Sequence, residues 1–168
     1  MPRLSEINQK PEAYMAALKQ FLNNPYGFYL IAGTNGNGKT FTAKALYECF
    51  RCHDPDEKMF TTQTDLNLLW QKDLYEWGST LYLLDKIVKT KLLILDDLGT
   101  RTPTDAFMDF LYAIADKRYN DRDKCGTVIT TNLNASMLRE RFGDAFTSRV
   151  ASGIIVRHDG EDRRINKF

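Results

Sequence analysis

The sequence is poor in three features that would each define a class of protein: cysteine, long apolar runs and net charge. Its 168 residues include three cysteines, and this small, odd number argues against a disulfide framework. No apolar run approaches the roughly 20 residues of a membrane span. Residues 1–18 carry scattered charges and no apolar core segment, so they do not form a secretory signal. We therefore expect a cytoplasmic protein with no membrane partner.

The net charge of only +1 means that any nucleic-acid site would have to be a local patch. Basic residues do lie beside aromatic ones in two places. One is Lys117-Arg118-Tyr119, and the other comprises Arg139, Arg141 and Phe142. Such pairs can bind single-stranded nucleic acid through charge and base stacking, but they are also typical of a solvated helix edge. Both interpretations stay open at the level of sequence.

Two of the cysteines lie in the string Cys49-Phe50-Arg51-Cys52-His53, which has the spacing of a haem attachment site. Covalent haem attachment needs export, and no export signal is present. A zinc site would need two further ligands, and only Cys125 and His158 remain, without paired spacing. We interpret the two cysteines as buried or half-buried thiols near the end of a helix.

Short apolar runs alternate with amphipathic segments along the whole chain. The predicted strands are residues 28–32, 59–62, 92–95, 126–131 and 153–156. The predicted helices are residues 11–22, 40–50, 65–75, 81–88, 104–118 and 137–146. Several strands are apolar on both faces, which is typical of a parallel sheet covered by helices on both sides. We expect an α/β protein in which residues 1–25 form a helix and linker and residues 26–168 form one domain.

A glycine-rich loop of the form G-x-x-x-x-G-K-[ST] separates the first strand from the next helix. Its glycines let successive N–H groups point at phosphate oxygens, and the helix adds its positive N-terminal end. Lys39 would meet the β- and γ-phosphates of ATP, and the Thr40 hydroxyl would bind Mg²⁺. The predicted nucleotide-binding residues are Gly33, Thr34, Asn35, Gly36, Asn37, Gly38, Lys39, Thr40 and Phe41.

Polar residues at the ends of two later strands would complete an ATP site. Asp96 and Asp97 follow the apolar run 92–95, where the first carboxylate would hold Mg²⁺ and the second would orient or deprotonate the attacking water. Asn132 could bridge that water and the γ-phosphate. It could equally cap the next helix, as could Thr131 or Asn134.

Three segments together resemble a known family. KLLILDDLG, AIADKRYNDRDKCGTVITTNL and RERFGDAFTSRV are similar to the AAA+ ATPase core of DnaC/DnaI-type replicative helicase loaders, which IstB-type transposition helper ATPases share. The resemblance spans residues 26–164. It implies a P-loop AAA+ fold, a three-layer α/β/α arrangement around a five-stranded, mostly parallel sheet.

The resemblance also implies catalytic roles beyond that of Asp97. Asn132 falls where the family has its sensor-1 residue, and Arg149 where it has an arginine finger that reaches the ATP of a neighbouring subunit. Arg164, next to Arg163, falls where the family has a sensor-2 arginine. Spacing alone gives neither Arg149 nor Arg164 a role. Asp97 departs from many AAA+ proteins, which have Glu there, and we expect its shorter reach to slow hydrolysis.

The function implied is Mg²⁺-dependent ATP hydrolysis in DNA replication, with a replicative helicase and single-stranded DNA as partners. We expect a homo-oligomer that shares ATP sites, or a monomer when the core is isolated. The loaders' helicase-binding N-terminal domain is expected to be absent, since only residues 1–25 precede the first strand. Two alternatives stay open: a transposition helper ATPase, and a nucleotide-binding module that acts through protein contacts without turnover.

Overall fold

A computed structural model describes residues 12–158 of the chain. Its centre is a five-stranded sheet in which every pair of neighbouring strands is parallel. The strands are β1 (Gly27–Gly33), β2 (Lys58–Thr62), β3 (Leu92–Leu98), β4 (Gly126–Thr131) and β5 (Ile154–His158), in the order β2-β3-β4-β1-β5. The predicted five-stranded α/β class is therefore confirmed.

Within residues 12–158, six α-helices cover the two faces of this sheet. They are α1 (Glu12–Asn23), α2 (Lys39–Cys49), α3 (Gln63–Trp77), α4 (Leu81–Lys89), α5 (Asp105–Asn120) and α6 (Ala135–Val150). Buried residues of α1 and α2 form one core cluster, and those of α3 to α6 form the other. Three layers result, as the sequence predicts.

Alternate residues of the central strands enter opposite cores. In β1, Phe28 and Leu30 belong to the core under α3 to α6, whereas Tyr29 and Ile31 belong to the core under α1 and α2. All four are at most 4% exposed. A strand buried on both faces has no need for polar alternation, which explains why these runs are apolar throughout.

The order of the connections between strands identifies the end of the sheet at which ligands are expected to bind. The chain leaves β1 for the far edge at β2, returns through β3 and β4, and then crosses to β5 on the other side of β1. Ligands of such sheets bind at the carboxyl ends of the strands beside this reversal. The glycine loop follows β1, and Asn132 follows β4, so both lie at the carboxyl end of the sheet.

Two details differ from the sequence-based prediction. Asp96 and Asp97 lie within β3 rather than after it, and the β3–β4 register shifts between Leu95 and Leu98. Cys49 is exposed at the end of α2, while Cys52 beyond it is partly exposed, so Cys49 is not the buried thiol that we predicted. No group of three or more His, Cys, Asp or Glu within residues 12–158 could hold a metal ion.

The helix pair α3–α4 carries most of the large apolar side chains that face solvent. Tyr75, Trp77, Leu81 and Tyr82, around the turn between the two helices, are each between 72% and 93% exposed. Trp70, five residues before Tyr75 in α3, instead packs against the core. Within residues 12–158, no helix is both long enough and apolar enough to cross a membrane.

Candidate functional site: a phosphate-binding loop and its acidic strand

The glycines of the loop are required by its backbone. Gly36 and Gly38 have φ angles of 76° and 81°, a region that side chains disfavour. A Cβ atom on Gly33 would lie 2.0 Å from the carbonyl oxygen of His158 on β5. Gly38 immediately precedes α2, so the loop leads directly into a helix N-terminus. Backbone N–H groups and the helix dipole are thus available to an anion there.

Lys39 and Asn37 are buried polar residues that brace the loop. The Lys39 ammonium donates hydrogen bonds to the carbonyls of Gly33 (3.0 Å) and Thr34 (2.6 Å). The Asn37 amide donates to the Thr34 hydroxyl and, at 3.1 Å, to the carbonyl of His158. Asn37 is 1% exposed and Lys39 5%. Lys39 therefore braces the loop from within, and Asn37 also joins it to the end of β5.

A polar cavity of about 360 Å³ opens beside the loop. It is lined by Asn35, Gly36, Asn37, Gly38, Lys39, Thr40, Asp97, Thr100 and Asn132. Gly33 and Thr34 line a neighbouring cavity of about 330 Å³, which Asn132 also reaches. Phe41 lines neither of these cavities and packs, partly buried, against the core under α1 and α2. The structure thus gathers most of the predicted nucleotide-binding residues, together with Asp97 and Asn132.

Asp96 lies behind this cavity and is 2% exposed. One of its carboxylate oxygens accepts hydrogen bonds from the Thr40 hydroxyl at 3.2 Å and from the Thr130 hydroxyl at 2.6 Å. A carboxylate and a hydroxyl side by side supply the oxygen ligands that Mg²⁺ prefers. Thr40 and Asp96 therefore fit the metal-binding role predicted for them.

Asp97 has the only positive φ angle among the non-glycine residues of 12–158, at 56°. Its N–H donates to the Thr130 hydroxyl at 2.9 Å, and its carbonyl accepts from the Thr100 hydroxyl at 2.7 Å. This conformation coincides with the irregular β3–β4 register and brings Asp97 to the cavity wall. Backbone strain of this kind is characteristic of functional sites.

The structure decides which residue caps α6. The Asn134 side chain accepts a hydrogen bond from the N–H of Met137 at 2.9 Å, which is an N-cap contact. Thr131 instead donates to the carbonyl of Leu98 and accepts from the N–H of Leu133. Asn132 is therefore not needed as a cap, and it lines the cavity.

A buried glutamine that the sequence analysis missed holds the segment after Asp97. Gln63, at the start of α3, is 4% exposed. It accepts a hydrogen bond from the Gly99 N–H at 2.7 Å and donates to the Arg101 carbonyl at 2.9 Å. Arg141 of α6 donates to the carbonyl of Gly99. The turn that follows Asp97 is thus fixed from two helices.

Arg149 does not line the cavity. Because α6 starts after β4 and ends before β5, its last turn lies near the amino ends of the strands, away from the glycine loop. There Arg149 contacts Asp116 of α5 through Nε at 2.8 Å and Nη2 at 2.7 Å. Gly143, with φ 79° and ψ 163°, kinks α6 before this turn. Arg164 lies outside the described residues.

Arg118 is a buried structural residue and cannot contact DNA. The DNA-binding interpretation of the segment Lys117-Arg118-Tyr119 therefore does not hold for Arg118. It is 0% exposed and donates to the Thr127 hydroxyl and to the carbonyls of Ile87, Thr90 and Gly126, at distances between 2.5 and 2.9 Å. Burial lowers the pKa of Arg118 to about 10, so it stays protonated at neutral pH. Of the other cluster, Phe142 is also buried.

The sequence matches a known protein family over most of its length. The family described as IstB-like ATP binding protein matches residues 5–159. The chain belongs to this family. Comparison with curated protein sequences finds no match. The predicted kinship with IstB-like and DnaC/DnaI-type proteins is confirmed, and nucleotide binding is a property of the family.

Solved structures share the fold of this IstB-like protein. The DnaC helicase loader superposes with a TM-score of 0.69 at 23% identity, over 90% of this chain and 92% of the loader. DnaI gives a TM-score of 0.64 at 18% identity, over 89% of this chain and 82% of DnaI. AMPPCP-bound DnaA from Aquifex aeolicus gives 0.75 at 18% identity, over 93% of this chain but 48% of DnaA. The fold is therefore that of P-loop AAA+ proteins.

Proposed function

We propose that this IstB-like protein is a Mg²⁺-dependent ATPase that acts as a replicative helicase loader on single-stranded DNA. The observation that carries the proposal is the single polar cavity into which Lys39, Asp97 and Asn132 converge. A lysine, a carboxylate and an amide that line one cavity are groups that phosphoryl transfer uses.

Each side chain has a distinct task in ATP hydrolysis. Lys39 exchanges its loop carbonyls for the β- and γ-phosphates, while the loop N–H groups bind the remaining oxygens. Thr40 and Asp96 would hold Mg²⁺, which neutralises phosphate charge when it is bound. Asp97 orients the attacking water or accepts its proton, and Asn132 positions the water against the γ-phosphate.

The ATP site is shared between two copies of the chain. Arg149 lies away from the cavity of its own chain, so in this proposal it completes the site of a neighbour. An arginine supplied in trans stabilises the charge that develops on the transferred phosphoryl group. Arg164 is proposed to act as the sensor-2 arginine within its own subunit. Assembly and hydrolysis are then coupled, which suits a loader that must bind and release its partner.

The proposed DNA contact moves from the basic clusters to the α3–α4 surface. Tyr75, Trp77 and Tyr82 offer exposed rings on which bases can stack, whereas Arg118 and Phe142 are buried. Lys72 and Lys89 on the same helices pair with Glu76 and Asp85, so we expect a weak salt dependence. Among the structural relatives, DnaC is described as a helicase loader, and DnaA has been solved with single-stranded DNA.

A second candidate function is that of a transposition helper ATPase, which the family description favours. The ATP chemistry would be the same in both cases, because it depends on the same cavity. The partner distinguishes the two functions: co-precipitation of the purified chain with a hexameric helicase supports the loader, and co-precipitation with a transposase supports the helper.

The proposal is tested by ATP turnover over a series of protein concentrations, with and without single-stranded DNA, beside Lys39→Ala as the inactive reference. We expect turnover per subunit to rise with both protein concentration and DNA. Quenching of Trp77 fluorescence, measured in a Trp70→Phe background, reports DNA binding in the same samples. ATP binding without turnover at any concentration would contradict the proposal and would favour a nucleotide-gated binding module.

A further inference from the structure

The Arg149 side chain contacts three residues of α5 and α6. Its Nε atom donates to one carboxylate oxygen of Asp116 at 2.8 Å, and its Nη2 atom lies 2.7 Å from the same oxygen in an ion pair. Its Nη1 atom donates to the carbonyl of Ala145 at 2.9 Å. The guanidinium carbon also lies 4.8 Å from the centre of the Tyr112 ring. Two helices, α5 and α6, thus fix a side chain that is still 25% exposed.

These contacts leave a defined part of the guanidinium available. An arginine has five N–H groups, one on Nε and two on each Nη. Within the described residues, Asp116 accepts from the Nε group and lies against Nη2 in an ion pair, and Ala145 accepts from one Nη1 group. One N–H on Nη1 and one on Nη2 remain. Two such groups in one plane form the fork that binds phosphate oxygens in pairs.

We propose that Asp116 is a positioning residue that, with Tyr112, holds Arg149 ready to bind the ATP phosphates of a second copy of this chain. The inference rests on the shared-site function proposed above. Asp116 acts along the side of the guanidinium that includes Nε, and the Tyr112 ring covers a face, so the contacts restrict rotation without occupying the remaining fork.

Restricting Arg149 in this way favours catalysis in the neighbouring site. A free arginine side chain loses rotamer freedom when it is fixed on a phosphate, and this loss weakens the contact. A side chain that is already fixed stabilises developing charge without reorganising. The Gly143 kink precedes the last turn of α6, from which Arg149 reaches Asp116 on α5.

A mixture of two defective full-length chains tests the inference in trans. The acceptor is Arg149→Ala, which keeps its own ATP cavity. The donor is Lys39→Ala, which cannot bind ATP productively but supplies Arg149. Neither chain alone should hydrolyse ATP, and mixing should restore turnover at interfaces that join a donor Arg149 to an acceptor cavity. The donor is then prepared with Asp116→Asn, and the matched control donor carries Asp109→Asn, an exposed carboxylate on the same helix.

The inference predicts that the Asp116→Asn donor lowers the restored turnover about tenfold at saturating donor. The Asp109→Asn donor should match the original. The unfolding midpoint of each donor is measured as well. If the midpoint is unchanged, a folding defect of the donor does not explain the lower turnover. If Asp116→Asn prevents folding, Tyr112→Leu in the donor replaces it, with an expected loss of about threefold.

Three outcomes would overturn the inference. Equal turnover with both donors would mean that Asp116 has no influence on the neighbouring site. Higher turnover with Asp116→Asn would mean that Asp116 restrains Arg149 instead of positioning it. Full turnover by Arg149→Ala alone would overturn the shared site itself, and this failure of the proposed function is recognised before any donor is added.

Discussion

Arg118 and Arg149 lie on neighbouring helices, α5 and α6, but in contrasting environments. Around Arg118 the chain buries a cation completely and surrounds it with carbonyl oxygens from the end of α4 and from β4. Around Arg149 it anchors one side of a cation and leaves the other side at the surface. The residue type is the same in both cases, so the difference lies in the N–H groups that remain at the surface. An arginine with no N–H group at the surface stabilises the fold, whereas one with N–H groups at the surface can bind a ligand.

The two environments also balance charge differently. Within residues 12–158, no hydrogen bond or ion pair joins the Arg118 guanidinium to a carboxylate. Two of its acceptors, the carbonyls of Ile87 and Thr90, lie at the carboxyl end of α4, which is the negative end of a helix dipole. Arg149 instead pairs with the carboxylate of Asp116, which is 37% exposed. A partly exposed ion pair contributes little to stability, so Arg149 can be changed at small cost to the fold.

The largest effect is expected on replacing Arg118. Arg118→Leu removes the buried donor shared by the carbonyls of Ile87, Thr90 and Gly126, and we expect a loss of about 3–5 kcal/mol in the free energy of unfolding. Urea denaturation measures this loss. Arg122→Leu is the matched control, because Arg122 is exposed and should change the free energy by less than about 0.5 kcal/mol. Similar losses in both variants would show that Arg118 does not tie the helices together.

Arg149→Ala should separate function from stability. We expect turnover at high protein concentration to fall roughly 100- to 1,000-fold, because one charged donor to the transition state is lost. The urea midpoint should stay nearly unchanged, since the ion pair with Asp116 is partly exposed. The measurement is steady-state turnover beside equilibrium unfolding of the same sample. A large loss of stability with little loss of turnover would reverse the roles assigned to the two arginines.

A smaller effect is expected at the kink that orients Arg149. Gly143 adopts φ 79° and ψ 163°, a region that only glycine enters readily, so Gly143→Ala should cost about 1–3 kcal/mol in unfolding free energy. If the alanine straightens α6, turnover at high protein concentration should also fall. Ser148→Ala, an exposed change after the kink, is the control for both measurements. An unaltered unfolding curve for Gly143→Ala would show that the kink is not needed.

The fold was predictable from sequence because its signals are local. Apolar runs such as residues 92–95 mark strands, and the glycine loop carries its own conformational requirement in Gly36 and Gly38. The grouping of polar residues at the carboxyl end of the sheet could be predicted from topology, since the carboxyl ends of parallel strands must meet. The cavity that joins Lys39 to Asp97 is thus a consequence of patterns that can be read one segment at a time.

The remaining features depend on contacts between distant segments. Arg118 reaches Ile87 across 31 residues, and Gln63 reaches Gly99 across 36. No periodicity in α5 reveals that one arginine of its basic end is buried, and no motif marks a glutamine that holds a turn after another strand. The positive φ of Asp97 likewise arises where β3 and β4 lose register. These features require the folded chain.

The central claim, that this cavity hydrolyses ATP through Asp97, is tested most directly by a single-turnover experiment. Wild-type chain and Asp97→Asn are loaded with Mg²⁺ and radiolabelled ATP at high protein concentration, and bound nucleotide and released phosphate are measured together. We predict that Asp97→Asn binds ATP within about threefold of wild type and releases phosphate at least about 100-fold more slowly. Equal rates of phosphate release from both chains would contradict it.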